Sequence, residues 1–461
     1  MTFGESLDML RKNGVHQFLP SFITRTHAPR RNTMELTTTG RRVLTRAVAL
    51  SGVLAASVAL GGCAAAAPSG PTTITFSYLW GGEEAKALEK IIADFNASQS
   101  DIKVVGVSSP DAQKQLTSMS SSNGSFDISD NFGNTVGSWA SKGILAPLDD
   151  YLAAEKVDTS AFAPASMEQM TFDGKIYALP IAVHTQQLMY NKDLLDKAGV
   201  KPPTTMDELA DAVKKLTVVD GSGAITQIGL GNPSASTLFT TLGYAFGGTW
   251  DGADGKTPTP DDPQNVAALD WYTKTLTDTF GADKIATFAS GLGQYMSAQD
   301  PFYTGKQAMV VDGEWQAVNI PKVAPNLNWG VIDIPAATPA LAGTTQVTTS
   351  TLFIPSNSKH KAEAAKFLAY MVQDKPMVDF TLALGNLPSK TALLDDPAYA
   401  EIPHFDSWLK ALASPNAKSL ASQPYSAQYS TDLATAFDDI VRGVTSPDKA
   451  LASVAGKVSS Y

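Results

Sequence analysis

Residues 172–216 read FDGKIYALPIAVHTQQLMYNKDLLDKAGVKPPTTMDELADAVKKL, and their reading decides the fold. Asp173-Gly174 lies between apolar residues and predicts a tight turn, because Gly adopts positive φ at no steric cost. Residues 176–190 then read as extended. Pro180 is hard to place inside a helix, and Ile181, Val183, Leu188 and Tyr190 favour strands. Asn191 is placed to cap a short helix that Gly199 ends as its C′ residue. Pro202-Pro203 stiffens the approach to a second helix, with Thr205 as N-cap and Glu208 three residues on, a capping box. Met206, Leu209, Val213 and Leu216 share one face of it.

N-terminal to this stretch, Ile74, Phe76, Tyr78 and Trp80 alternate along a first strand over 73–80. A helix over 84–96 with Leu88, Ile91, Ile92 and Phe95 as its core stripe follows, then a strand over 102–107. Strand, helix and strand at this spacing form a unit of an open α/β sheet, in which ligands bind beyond the carboxyl ends of strands. Trp80 and Glu83 occupy such an end. Residues 118–125 are polar and read as a loop. C-terminal to the stretch, 225–231 reads as a strand, 251–262 as a surface loop and 263–277 as a helix. Phe239, Tyr244, Phe246 and Trp250 suit either a core or a ligand platform, and Gly247-Gly248 lets the backbone turn close beside Trp250. Residues 309–311 read as a strand leading into a helix that starts over 312–315. Residues 429–441 and 447–458 read as two further helices, the last with Ser446 as N-cap and Pro447 at N1.

At 461 residues the chain exceeds the roughly 250–300 at which one core stops growing, so two domains are expected. Arg41, Arg42 and Arg46 precede an apolar run over 47–60, too short to span a membrane and suited to a secretory signal. Cys63 is the sole cysteine, directly after Gly61-Gly62, so no internal disulfide forms. Residues 1–33 precede Met34, itself a conventional start, and read as an extension with no part in the fold. Eight basic and three acidic residues lie before Cys63, which leaves 27 basic against 42 acidic and a net charge of −15. A surface so acidic disfavours nucleic acid as a partner. Residues 63–71, rich in Ala, Pro and Gly, form a flexible tether. His184, His360 and His404, the histidines after Cys63, are too scattered to suggest a zinc site. No nucleophile elbow, phosphate loop or metal-binding His/Cys cluster occurs, and no cofactor or metal is implied. Carboxylates are plentiful enough to leave a glycosidase pair open.

The order DGKIYALP, YNKDLLDKAG, PPTTMDELADAVKKL closely resembles the central signature of the extracellular solute-binding proteins of ABC sugar importers, the maltose-binding-protein-like family 1. Further matches follow in family order. They are the Gly143-Ile144-Leu145-Ala146-Pro147-Leu148 turn, then FYTGKQAMVVDGEW with Gly305, Lys306, Ala308, Met309, Gly313 and Trp315 in place. After these come the return strand over 330–335, TTSTLFIP with a helix capped at Ser358, and the turn over 385–390. Leu60-Gly61-Gly62-Cys63 resembles a bacterial lipobox, which makes Cys63 a lipidated N-terminus and 1–62 a signal peptide.

The resemblance, covering about 72–461, implies an α/β fold of the type II periplasmic-binding-protein-like class, two lobes joined by a multi-strand hinge. One lobe takes 72–183 and 336–390, the other 184–335 and 391–461. It implies no enzyme. The implied protein is a monomeric lipoprotein outside the cell membrane that captures a saccharide and delivers it to the permease subunits of an ABC transporter. A binder of another small solute, such as an oligopeptide or polyamine, and a secreted carbohydrate-active enzyme are the alternatives. Candidate ligand contacts are Trp80, Glu83, Asn131, Asn134, His184, Trp250, Glu314 and Trp315. Asn131 and Asn134 match sugar-contacting positions but equally suit local capping of a helix near Asn134. Glu314 stands where relatives often have Pro, and adds an acceptor.

Overall fold

The computed structural model describes residues 70–461. Strand β1, Thr72–Tyr78, buries Ile74, Phe76 and Tyr78 on one face by the strand period of two. Helix α1, Gly82–Ser98, packs Leu88, Ile91, Ile92 and Phe95 inward, and returns the chain to β2, Ile102–Ser108, parallel to β1. Part of the expected 118–125 loop is helical, because Asp111 caps α2, Ala112–Ser120, by accepting from the amides of Gln113 and Lys114. Strand β3, Ile128–Phe132, lies parallel to β1 on its other side.

Asp173 and Gly174 take positive φ of 48° and 74°, as a two-residue hairpin turn between β4, Thr171–Phe172, and β5, Lys175–Ile176, requires. Then comes β6, Ala178–Asn191, a strand of 14 residues. Asn191 accepts from the Leu194 amide at 3.1 Å to start α3, Lys192–Ala198, and Gly199 ends it with φ of 60°. Thr205 caps α4, Met206–Leu216, through the Glu208 amide. The box closes one residue early, since the Glu208 carboxylate reaches the amide and hydroxyl of Thr204.

Strands β7, Val218–Val219, and β8, Ile225–Gly231, form an edge hairpin. The helix expected over 263–277 is Pro263–Tyr272 followed by a wider π turn, Thr273–Thr277. Strand β9, Gln307–Gly313, precedes α5, Gln316–Val323, so the helix begins after Trp315. Strand β10 is Trp329–Ile332, and β11 is Thr345–Phe353. Ser358 sits two residues before the N-cap His360 of the helix Lys361–Met371, where its hydroxyl accepts from the His360 amide and donates to Asp127. The last α-helices are Phe405–Leu412, Ser426–Val441 and Pro447–Ala455. Ser446 holds the N-cap position of the last with no capping bond.

The main sheet runs β2-β1-β3-β11-β6-β9-β8-β7, with β10 also on β6. Pro180, which has no N–H to give, is accommodated by an irregularity. Ser350 pairs with Ala182 and Thr351 with Pro180, leaving Ile181 as the extra residue. Buried apolar residues gather at both ends of β6. Ile74, Phe76, Leu88, Ile181, Leu352, Phe367 and Phe380 belong to one cluster. Leu188, Leu209, Val213, Ile228, Leu238, Met309 and Phe437 belong to the other. A third cluster, with Val183, Met189, Val310, Val347, Phe405 and Trp408, lies across the middle of the strand.

Candidate functional site

Strand β6 changes partner between Thr185 and Gln186. Up to Thr185 it pairs antiparallel with β11, and from Gln186 it pairs antiparallel with β9. At the change the Thr345 hydroxyl stands in for a ladder partner, accepting from the Gln186 amide at 2.7 Å and donating to the Gln186 carbonyl at 2.9 Å. His184 lies immediately before this point, opposite Thr348. Strand β9 ends at Gly313, so the register that pairs Gly313 with Gln186 carries Glu314 and Trp315 to His184.

The His184 imidazole is held at both nitrogens. Glu314 Oε1 accepts from Nδ1–H at 2.7 Å, which leaves Nε2 to accept from the Ser350 hydroxyl at 3.0 Å. The other carboxylate oxygen of Glu314 accepts from the Thr185 amide at 3.3 Å, and the residue is 0% exposed. The Trp315 ring meets the imidazole edge to face, with centroids 5.8 Å apart at 69°. A Cβ on Gly313 would overlap that indole, so only glycine lets the ring lie against the backbone there.

Trp315 Nε1 donates to the Tyr295 hydroxyl at 2.7 Å, and Tyr295 donates to Asp312. Burial pushes the Asp312 carboxyl up to about 7, against the pull of the Gln316, Gly313 and Tyr295 donors. From the β1–β3 side, Asp130 Oδ1 accepts from the Leu79 amide at 2.7 Å, and burial raises this carboxyl too to about 7, with Glu84 adding to the rise. Glu84 is exposed on α1, yet desolvation raises its carboxyl while His184 pulls it down.

The structure therefore brings His184, Glu314 and Trp315 together. Trp250 is a correction. Its ring is 0% exposed, packs edge to face on Phe437 at 5.5 Å and donates Nε1 to the Thr240 carbonyl, all within the core. Asn131 is buried with both ends of its amide used, on Gln115 and on the Phe132 amide. Asn134 is half-buried in the turn Gly133–Thr135. Trp80 is half-buried with its ring edge-on to Phe380 at 5.1 Å. Glu83 is exposed and paired with Lys86 at 2.7 Å.

Ser350, Tyr295, Asp312 and Phe132 went unmarked in the sequence reading. Phe132 is 37% exposed and pairs directly opposite Ser350, hence on the same sheet face. Asp312, directly before Gly313, and Ser350, within TTSTLFIP, each stood in a matched motif without being singled out. Among the described residues no group of three or more His, Cys, Asp or Glu is placed to hold a metal ion. No helix among them is long and apolar enough to cross a membrane.

Comparison with known proteins decides the family. The profile of the bacterial extracellular solute-binding proteins matches residues 81–378. The chain belongs to that family. Among relatives of this solute-binding protein, a Brucella abortus (strain 2308) protein named as a binding protein is 31% identical over 250 residues, 54% of this chain and 58% of that one. The chain thus spans little over half the length of the first curated relatives it matches. An uncharacterized lipoprotein from the oleD 5′ region of Streptomyces antibioticus is 28% identical over 350 residues, 74% of this chain and 75% of that one. The solved structure of CpMnBP1 with mannotriose bound superposes with a TM-score of 0.72 at 27% identity, over 84% of this chain and 100% of that one. The α/β fold is that of the type II periplasmic binding proteins.

The raised carboxyls of this solute-binding protein predict a pH dependence of stability. Asp130 and Asp312 hold their protons up to about 7 in the folded chain, and Asp251, also raised by burial, up to about 6. Each ionises near 4 when unfolded, so the folded state binds more protons between about pH 4 and 7 and loses stability as pH rises through that range. The Tm at pH 5 is expected to exceed that at pH 8, and Asp130→Asn with Asp312→Asn to narrow the gap. Thermal unfolding followed by circular dichroism checks both. A higher Tm at pH 8 in the wild-type protein contradicts the assignment.

Proposed function

We propose that this solute-binding protein captures a neutral or weakly polar saccharide between two lobes, 72–183 with 336–390 and 184–335 with 391–461. It would hand the sugar on to the permease subunits of an ABC transporter. The observation that carries the reading is the Trp315 indole seated over Gly313 beside the His184–Glu314 pair. A fixed aromatic face stacks on the C–H patches of a pyranose, and imidazole and carboxylate edges bond its hydroxyls. The mannotriose-bound relative, alike over the whole of its own length, supports the same class of ligand. Closure is by hinge, with β6 and β11 as the connecting strands and the closed, loaded form the one that a permease recognises. Trp80, Glu83, Asn131 and Asn134 belong in this scheme to the wall contributed by 72–183.

A second reading, a carbohydrate-active enzyme that cleaves an ester carried on the glycan, has the hydrogen-bonded order Ser350–His184–Glu314 in its favour, since acyl-transfer triads share it. Against it, Ser350 is buried mid-strand and paired on both sides, with Phe132 and Ala182. Acyl transfer also needs N–H groups free to hold an oxyanion. We favour binding without chemistry. In titration calorimetry mannotriose is expected to bind and to be recovered intact. Trp315→Ala should weaken it at least tenfold, about 1.4 kcal/mol, because stacking adds roughly 0.5–1.5 kcal/mol to the burial lost with the ring. Unchanged affinity in a folded Trp315→Ala protein would move the site elsewhere.

The attachment proposed for this protein is a lipid on Cys63, which lies outside the described residues. The lipobox-like Leu60-Gly61-Gly62-Cys63 and the lipoprotein among the relatives support it. Mass spectrometry of the membrane fraction should find diacylglycerol on Cys63 and no residue upstream. A secreted product that starts well past residue 63 contradicts it.

A further inference from the structure

We infer that Asp312 is a positioning residue for the binding site, one that fixes the Trp315 indole through Tyr295 while its carboxylate is charged and releases it on gaining a proton. The inference deepens the saccharide reading and rests on it for the effect on affinity.

The hydrogen bonds around Asp312 all point one way. The residue is 4% exposed. Oδ1 accepts from the Gly313 amide at 2.8 Å and from the Tyr295 hydroxyl at 2.8 Å, while Oδ2 accepts from Gln316 Nε2 at 2.7 Å and from the same hydroxyl at 3.0 Å. An indole N–H can only donate, so Trp315 at 2.7 Å from Tyr295 forces that oxygen to accept and turns the tyrosine proton toward Asp312. The Gln316 amide cannot simply flip to offer its oxygen, because Oε1 already accepts from the Tyr303 hydroxyl. Tyr303 in turn accepts from Asn319 Nδ2 at 2.7 Å, and Asn319 also donates to the Met296 carbonyl at 3.1 Å. Every neighbour is thus a donor directed at a charged acceptor.

A protonated Asp312 has to donate, and the acceptor in reach within this set is the Tyr295 oxygen. Taking that bond turns the tyrosine proton away from Asp312 and puts two donors, the Asp312 O–H and the Trp315 N–H, on one phenolic oxygen, which weakens the hold on the indole. Loss of one proton-sensitive charge therefore loosens the ring two bonds away.

The groups facing Asp312 are few. Asp300 raises its carboxyl further, and Tyr295 and Tyr303, both raised by burial, stay neutral. From β6 the residue opposite is Gln187, whose amide donates to Asp333 at 3.1 Å. From the helix Phe405–Leu412, the Trp408 indole donates to the Asp312 carbonyl. Burial brings the titration to about 7, where ordinary changes of pH shift the population.

The test begins without ligand. The near-ultraviolet circular dichroism of Trp315, taken as wild type minus Trp315→Phe, is followed from about pH 5.5 to 8.5, a window around a carboxyl displaced from its usual value near 4. A single titration is expected in the wild type, and none in Asp312→Asn or Tyr295→Phe. A flat wild-type signal, or the same titration in Tyr295→Phe, overturns the relay. Should Asp312→Asn fail to fold, Tyr295→Phe alone decides, since it leaves the carboxyl in place and cuts only its link to the indole. Mannotriose affinity is then measured across the same range, with a fall of about tenfold expected toward the acid end, the weight of about one pKa unit of coupling. Tyr295→Phe should flatten that profile. If the dichroism titrates and mannotriose does not bind, the saccharide reading fails and the relay stands. If mannotriose binds with the same affinity at every pH, the relay has no role in binding.

Discussion

The exchange of partners along β6 is the constraint on which the rest of the structure depends. A strand that leaves β11 and joins β9 within one peptide step must hold its backbone groups satisfied at the break, and the Thr345 hydroxyl does so. Because the strand stays continuous, the side chains before and after the break remain in fixed register. His184 and Ser350 come from the β11 side, and Glu314 and Trp315 from the end of β9. The site is the place where two cores share one strand.

Burying His184 and Glu314 together is costly in desolvation, and such a pair is weak evidence for stability. Its effect is on direction. With Nδ1 committed to Glu314 and Nε2 to Ser350, the ring plane is set, and Trp315 meets that imidazole edge to face while lying against the Gly313 backbone. A binding surface whose groups lose little freedom on capture keeps more of the gross interaction energy as affinity. The Asp312 network adds a hydrogen-bonded tether on the indole nitrogen, so the ring is held by its face and by its edge.

Much of the frame was legible in the sequence, because local rules act over a few residues. Asp173-Gly174, the Asn191 cap, the Gly199 stop and the Thr205 cap each depend on neighbours within four positions, and each was read correctly. The site was legible only in part. Glu314 and Trp315 were found because their motif is contiguous. Ser350 lies 166 positions from His184, and Tyr295 lies 20 from Trp315, so nothing local announces either contact. Trp250 shows the converse failure. Its Gly pair marks a sharp turn, but the direction in which a turn sends its side chain is set by what packs there, and Phe437 lies 187 positions away. Asn131 suited either a sugar contact or a local helix cap, whereas in the structure its amide is taken up by Gln115, on the helix Ala112–Ser120.

The central claim is that the strand exchange in β6 builds the sugar-binding surface, and a crystal structure of the protein soaked with mannotriose tests it most directly. The account predicts one pyranose ring lying on the exposed side of Trp315, with a hydroxyl within hydrogen-bond distance of the His184, Glu314 or Ser350 side chains. A sugar seated with no contact to Trp315 or to these three residues would contradict it.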